Sequence, residues 1–238
     1  EPRDSGGARG AAAEQRADLA RQIEDLADWR DVLARKTIDV AAYRQFLLKG
    51  ADDARLVGDV TPAYGLLSVE RMQGLAAVAP DTRFVYLIRD PVERLWSHVR
   101  MIAARTVGPA DFAREAETLL RRMLAGDMSG EGQGIADRGD YATVITKIKQ
   151  ALPPEKVAIE FLEQMLTRPG IARLWGFLGL SPAAAIFDQP ANAGRTLAIP
   201  ENLRVQALAW LRPQYEYVAS FFPVLPDNWR RNMEEGFA

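Results

Sequence analysis

The 238-residue chain contains no cysteine and only one histidine, His98. Without cysteine there are no disulfides, no thiolate metal ligands and no cysteine nucleophile. A zinc site built from histidine and cysteine is excluded, and a Ser-His-Asp triad would depend wholly on His98. A lone helical histidine is more often a structural residue than a catalytic base. We therefore predict no metal site and no histidine-based catalysis.

The chain also lacks a long apolar run and an excess of charge of one sign. No apolar segment reaches 18 residues, and no signal peptide is visible, so no membrane span is predicted. The formal net charge of −2 predicts no broad basic surface for nucleic acid. A cytoplasmic location is the default expectation. Any anion site must then be a local pocket.

The most informative segment reads RFVYLIRDPVERLWSHVRM. Its apolar run 84–88 predicts a strand that is covered on both faces of a parallel sheet. Asp90 is a favourable N-cap and Pro91 suits the first helical position, so a helix is predicted to follow at once. Arg89 therefore lies at the carboxyl end of a strand beside a helix N-terminus, where open α/β sheets bind anions. A structural cap and salt bridge without a ligand explains the same pattern equally well.

Hydrophobic periodicity predicts the remaining elements. The predicted helices cover 12–35, 40–48, 68–78, 111–124, 141–151, 171–178 and 203–222, the last interrupted at Pro213. The predicted strands besides 84–88 cover 55–59 and 156–161. The glycine-rich loop 126–134 suits a substrate lid or a plain connector. Strands separated by helices predict a helix-rich α/β fold with a small parallel sheet, in one domain over 1–238.

Five segments of the chain resemble one enzyme family, in the order in which that family has them. The pattern R-D-P-x-x-R-x-x-S from Arg89 to Ser97 resembles the 3′-phosphate-binding motif of sulfotransferases that use 3′-phosphoadenosine 5′-phosphosulfate (PAPS). Upstream, GDVTPAYGLL resembles a segment of bacterial sulfotransferases and their heparan-modifying relatives. Downstream, DRGDYATVITKIKQALPPEKVAIEFLEQML resembles their G-x-Y helix and following strand, and WGFLGL and LPDNW also match. The resemblance covers about 41–229.

The resemblance implies a P-loop-like fold and transfer of a sulfuryl group from PAPS to a hydroxyl or amine. The acceptor would be a carbohydrate, a lipid or another small molecule, and no metal is implied. Arg89 and Ser97 would bind the 3′-phosphate, because a guanidinium can hold two phosphate oxygens at once. Tyr141 would pack near the adenine, although its place in an apolar helical stripe predicts a core residue. Arg195 would belong to a basic loop that closes over the nucleotide.

The acceptor side of the site is less well marked. Asp59 stands where the family usually has glutamate, and it is our candidate catalytic residue, orienting the acceptor or holding a lysine. A cap for the turn that begins at Thr61 is the alternative role. Thr61 and Tyr64 are candidate residues of the acceptor cleft, with core packing as the alternative for Tyr64.

One departure from the family concerns the donor. The family's G-x-x-K-x-G-T-T-like loop, which cradles the 5′-phosphosulfate, is absent from the sequence, as is the K-E-x-x-F/Y-F stretch whose glutamate often serves as base. We therefore expect an N-terminally incomplete chain that is inactive or nearly so. A non-catalytic module that binds nucleotide or carbohydrate is the alternative. A nucleotide kinase would need a Walker loop and a metal-binding Ser or Thr, and neither is visible.

Overall fold

The computed structural model describes residues 6–35, 39–184 and 194–236. By its internal packing the chain divides into two compact units, Glu1–Thr61 and Pro62–Ala238. The single domain over 1–238 stays a prediction, and the two units are described separately.

The first unit is a pair of helices, α1 (Gly6–Leu33) and α2 (Val40–Leu48). Both were predicted, and the bounds of α2 are confirmed. The helices pack through Trp29, whose ring lies 5.1 Å from that of Phe46 between centroids. The amphipathic pattern of α1 does not produce a buried face, because its regularly spaced large apolar side chains are 56–67% exposed.

The strand predicted over 55–59 is wrong. These residues are irregular, and Leu56 and Val57 are 41% and 38% exposed. A strand needs a neighbouring strand for its backbone hydrogen bonds and a surface for its side chains. This short run makes no strand pairing among the described residues, so its β-branched and apolar composition does not suffice.

The second unit contains a two-stranded parallel sheet of β1 (Phe84–Ile88) and β2 (Val157–Phe161). Phe84 pairs with Val157 and Ile88 with Phe161, so the two carboxyl ends lie side by side. Both strands were predicted. The prediction that β1 is covered on both faces is wrong, because its outward residues Val85 and Leu87 are 37% and 41% exposed.

Helices make up most of the rest of this unit. They are α3 (Val69–Ala76), α4 (Pro91–Thr106), α5 (Phe112–Leu124), α6 (Gly132–Asp137), α7 (Tyr141–Ala151), α8 (Leu162–Met165), α9 (Arg168–Leu178), α10 (Glu201–Phe221) and α11 (Asp227–Gly236). Short 3-10 turns cover Pro62–Leu66 and Pro154–Lys156. Among the described residues, no helix has the length and apolar character needed to cross a membrane.

The main core forms where α4 and α10 pack together, with α5, α7 and α11 around them. Val99 of α4, Leu208 of α10 and Trp229 of α11 are fully buried there. A smaller cluster between α3 and α7 is built on Met72 and Val144. The core therefore holds both ends of β1 and the first turns of α4 in place.

Two helical predictions needed correction. The break predicted at Pro213 is wrong, because α10 continues through it. Pro213 is exposed, whereas Leu211 and Tyr215 on the core side are buried, and that burial offsets the cost of about 3 kcal/mol for a proline inside a helix. The loop over 126–134 is shorter than predicted, since α6 begins at Gly132. The helices α8 and α11 were not predicted from the sequence.

Candidate functional site

The backbone of Arg89 is held in place by a buried tyrosine. Arg89 follows β1 directly, and the Tyr141 hydroxyl accepts a hydrogen bond from its N–H at 3.2 Å and donates one to its carbonyl oxygen at 2.6 Å. Tyr141, at the start of α7, is 2% exposed. Burial raises the pKa of Tyr141 to about 12, so the hydroxyl keeps its proton and acts as donor. Tyr141 is thus a core residue that positions Arg89.

The side chain of Arg89 is partly exposed at the carboxyl end of β1. Its Nη2 lies 3.2 Å from Oε2 of Glu93, one turn into α4, in an ion pair whose side chains are 35% and 53% exposed. Surface pairs of this kind contribute at most about 1 kcal/mol. A phosphate, which can accept two parallel hydrogen bonds from the guanidinium, would compete well for it.

The N-terminus of α4 is already occupied by its own capping residue. Asp90 is completely buried, and its Oδ1 accepts a hydrogen bond from the Glu93 N–H at 3.1 Å. The Tyr215 hydroxyl donates to the same carboxylate, 2.9 Å from each oxygen, and the Asn232 side chain donates at 2.8 Å. Burial raises the pKa of Asp90, while these hydrogen bonds lower it. An incoming anion would therefore meet the Arg89 side chain. It would not reach the first N–H groups of α4, contrary to the expectation from the strand–helix pattern.

Glu163, just after β2, fixes the same corner from the other side. Its Oε1 accepts hydrogen bonds from the Asp90 N–H at 2.9 Å and from Trp229 Nε1 at 3.3 Å. Its Oε2 is buried and has no hydrogen-bond partner in the described part of the chain. Glu163 was not predicted as a site residue, although the segment DRGDYATVITKIKQALPPEKVAIEFLEQML contains it and LPDNW contains its partner Trp229.

Ser97 lies one turn beyond Glu93 on the same face of α4. It is partly buried, and its hydroxyl makes no hydrogen bond with any residue that the structure describes. Arg89, Glu93 and Ser97 therefore follow one another along one side of the strand–helix junction. A phosphate bound by both Arg89 and Ser97 would have to displace Glu93.

Arg195 is held farther along α4. Its carbonyl oxygen accepts a hydrogen bond from Arg100 Nη1 at 2.8 Å, and its exposed guanidinium lies 5.6 Å from the ring centroid of Phe112. Trp96 Nε1 donates to the carbonyl of Leu197 at 2.7 Å, so this segment runs along the middle of α4. Arg195 is thus anchored about three turns from Arg89.

The candidate acceptor residues have partners of their own. In the first unit, Asp59 accepts hydrogen bonds from the Tyr43 hydroxyl at 2.9 Å and from Thr61 Oγ1 at 2.7 Å. This geometry supports the capping role for Asp59, which does not lie at a strand end. In the second unit, Tyr64 lies in the 3-10 turn Pro62–Leu66 and is partly buried.

A cluster of cations surrounds the only histidine. Burial, followed by the nearby Arg94, Arg138 and Arg105, lowers the pKa of His98 to about 4. His98 is therefore neutral at pH 7 and does not act as a general acid there. Arg94 is itself largely buried and donates a hydrogen bond to the carbonyl of Ile135. The positive charge on this side of α4 favours anions nearby.

Among residues 6–35, 39–184 and 194–236, no group of three or more histidine, aspartate or glutamate side chains is arranged to hold a metal ion. Comparisons with protein-family models, curated proteins and solved structures find no match to this chain.

Proposed function

We propose that this chain is a sulfotransferase domain that binds PAPS and its product, 3′-phosphoadenosine 5′-phosphate (PAP), with Arg89 on the 3′-phosphate. The observation that carries the proposal is the position of Arg89. Its backbone is held by Tyr141 through two hydrogen bonds, while its guanidinium remains partly exposed. A side chain presented in this way is suited to binding an anion at the end of a strand.

The energetics favour phosphate over the existing ion pair. A hydrogen bond to a charged group contributes about 1.5–3 kcal/mol, whereas an exposed ion pair such as Arg89–Glu93 contributes at most about 1 kcal/mol. Ser97 would add its hydroxyl to the same phosphate. We therefore expect the loss of Arg89 to weaken nucleotide binding by at least about tenfold.

The proposed reaction moves an SO₃ group in line from PAPS to a hydroxyl or amine of a carbohydrate, a lipid or another small molecule. The bond between sulfur and the phosphate oxygen breaks, the bond to the acceptor atom forms, and a base takes the acceptor proton. PAP leaves with the charge of the broken bond, which cationic groups stabilise. Because the printed sequence has no phosphosulfate-binding loop, nucleotide binding is the property that we expect of this chain.

Calorimetric titration with PAP tests the proposal. The Arg89→Ala variant should lose at least about tenfold in affinity. Arg114→Ala is the matched control, since Arg114 of α5 is 79% exposed and also pairs with a nearby carboxylate. Absence of PAP binding by the folded chain, or equal binding by the Arg89 variant, would refute the assignment.

One observation favours a second candidate, a sulfotransferase-like module that binds nucleotide without catalysis. Asp59, the candidate catalytic carboxylate, is engaged by Tyr43 and Thr61. Such a module would bind PAP but would transfer no radiolabelled sulfate from PAPS to any acceptor. Transfer that is lost in Asp59→Asn would instead assign the catalytic role to Asp59.

A further inference from the structure

The helix α11 supports the groups that hold the backbone of Arg89 and Asp90, two residues that we call the α4 junction. Tyr141 binds the N–H and the carbonyl oxygen of Arg89, and Glu163 accepts a hydrogen bond from the Asp90 N–H. Trp229 of α11 is completely buried and contacts both supports. Its ring stacks on that of Tyr141 with centroids 6.2 Å apart, and its Nε1 donates to Glu163 Oε1 at 3.3 Å.

A second residue of α11, Asn232, binds the Asp90 side chain itself. Its Nδ2 donates a hydrogen bond to Asp90 Oδ2 at 2.8 Å and lies 3.3 Å from the Tyr215 hydroxyl oxygen. Its Oδ1 accepts a hydrogen bond from Arg204 Nη2 at 2.5 Å. Because a guanidinium only donates, Arg204 fixes which end of the amide faces Asp90. Asn232 is 8% exposed, so water has little access to these hydrogen bonds.

The far end of α11 is held against α10. A Cβ added at Gly236 would lie 2.7 Å from Leu208 Cβ, so the two helices approach closely there. Arg204 of α10 also donates to Glu235 Oε2 at 2.6 Å. A helix of ten residues that is docked through a few side chains can open locally at a lower free energy than the whole unit.

We propose that α11 is a positioning element of the nucleotide site and that Asn232 is its positioning residue. The inference rests on the proposed binding of a 3′-phosphate by Arg89. When α11 is docked, Asn232 and Trp229 hold the α4 junction, and the Arg89 guanidinium is presented at the end of β1. When α11 opens, Asp90 and Glu163 each lose a donor. Docking of α11 and binding of the 3′-phosphate therefore strengthen each other.

The preference for PAP over adenosine 5′-phosphate measures this positioning, because the two nucleotides differ only in the 3′-phosphate. Loss of a hydrogen bond to a charged group shifts an equilibrium by about tenfold or more. Tyr141 and Glu163 remain in Asn232→Leu, so we expect the preference to fall by at least about threefold. Asn202→Leu is the matched control, since it makes the same change at an exposed position in the first turn of α10.

A merely structural role would lower the affinities for both nucleotides alike. A preference that is unchanged in folded Asn232→Leu, or lowered equally in Asn202→Leu, would overturn the proposal. Circular dichroism would verify that both variants fold.

Hydrogen exchange of the wild-type chain tests the coupling without a variant. PAP should slow the exchange of amides over 227–236, and adenosine 5′-phosphate should slow it by at least about threefold less. Equal protection of α11 by the two nucleotides would overturn the coupling.

Hydrogen exchange without nucleotide separates this inference from the proposed function. We expect Asn232→Leu to speed exchange of the Asp90 amide by at least about tenfold, while amides in the middle of α5 keep their wild-type rates. Equal exchange at Asp90 in variant and wild type would overturn the positioning role, whether or not PAP binds. Faster exchange in the variant, together with no binding of PAP by the wild-type chain, would refute the proposed function and support the positioning of Asp90 by Asn232.

Discussion

The Tyr215 hydroxyl should stabilise the corner that carries Arg89, and the effect should depend on pH. The hydroxyl donates to both oxygens of the buried Asp90 carboxylate, 2.9 Å from each. Tyr215→Phe deletes this donor and leaves the ring that packs against Trp229. A hydrogen bond to a charged group contributes about 1.5–3 kcal/mol, so we expect a loss of about 2 kcal/mol at pH 7. For a chain of this length that corresponds to a fall in Tm of about 4–8 °C.

The direction in which stability changes with pH follows from the raised pKa of Asp90. Burial, the largest cause, raises its pKa above the ordinary 3.8, so the folded state binds the carboxyl proton more tightly than the unfolded state does. The contribution of Asp90 to stability is therefore greatest at low pH and is lost as the pH rises through its folded pKa. The Tyr215 hydroxyl binds the ionised form and lowers that pKa. Its deletion should cost most at neutral pH, and the cost should shrink as the pH falls toward about 4.

Urea denaturation at neutral and acidic pH is the assay. Tyr217→Phe is the matched control on the same helix, because its hydroxyl meets only the exposed Thr146 Oγ1, at 3.1 Å, among the contacts described. We expect the control to lose about 0.5 kcal/mol or less at either pH. Equal losses in the two variants, or a Tyr215→Phe loss that grows as the pH falls, would refute the reasoning.

Three further predictions concern other parts of the second unit. Tyr141→Phe should cost about 1–2 kcal/mol of stability and also weaken PAP binding, because both hydrogen bonds to the Arg89 backbone disappear; denaturation and calorimetry measure the two effects. The single histidine signal in the proton NMR spectrum should titrate with a pKa of about 4, because burial and nearby arginines disfavour the charged form of His98; a midpoint near 6.5 would contradict this. Because that pKa is lowered, the stability due to neutral His98 is present above pH 6.5 and is lost as the pH falls through the folded value. Gly170→Ala should destabilise α9 in thermal denaturation, because an added Cβ would lie 2.7 Å from the Met165 Cα. Gly176→Ala in the same helix is the control. Its added Cβ meets nothing within 4 Å and should stabilise the helix by about 0.5–1 kcal/mol.

In the second unit, local sequence patterns predicted the elements that lie next to a helix-capping residue. The strand Phe84–Ile88, the N-cap Asp90 of α4 and the helix Tyr141–Ala151 occur at the predicted residues. Both helices combine an apolar period with a capping residue, so local preference and tertiary packing agree. The predicted strand over 55–59 had an apolar run but no partner strand, and nothing in its own sequence reveals that lack.

Long-range contacts explain what the sequence did not predict at the candidate site. Arg89 and Ser97 came from one contiguous motif. The residues that hold this corner, Glu163, Tyr215 and Asn232, come from three distant segments and meet only through packing. For the same reason the sequence, which predicted Asp90 as an N-cap, did not reveal that Tyr215 and Asn232 bind its buried carboxylate at the start of α4.

The central claim is that Arg89 binds a 3′-phosphate. The most direct measurement compares the affinities of PAP and adenosine 5′-phosphate, which lacks that phosphate, for the wild-type chain and for Arg89→Ala. We predict that the wild-type chain prefers PAP by at least about tenfold and that the variant loses most of this preference, keeping only the part that the Ser97 hydroxyl supplies. A wild-type chain without that preference, or a variant that keeps it, would contradict the account.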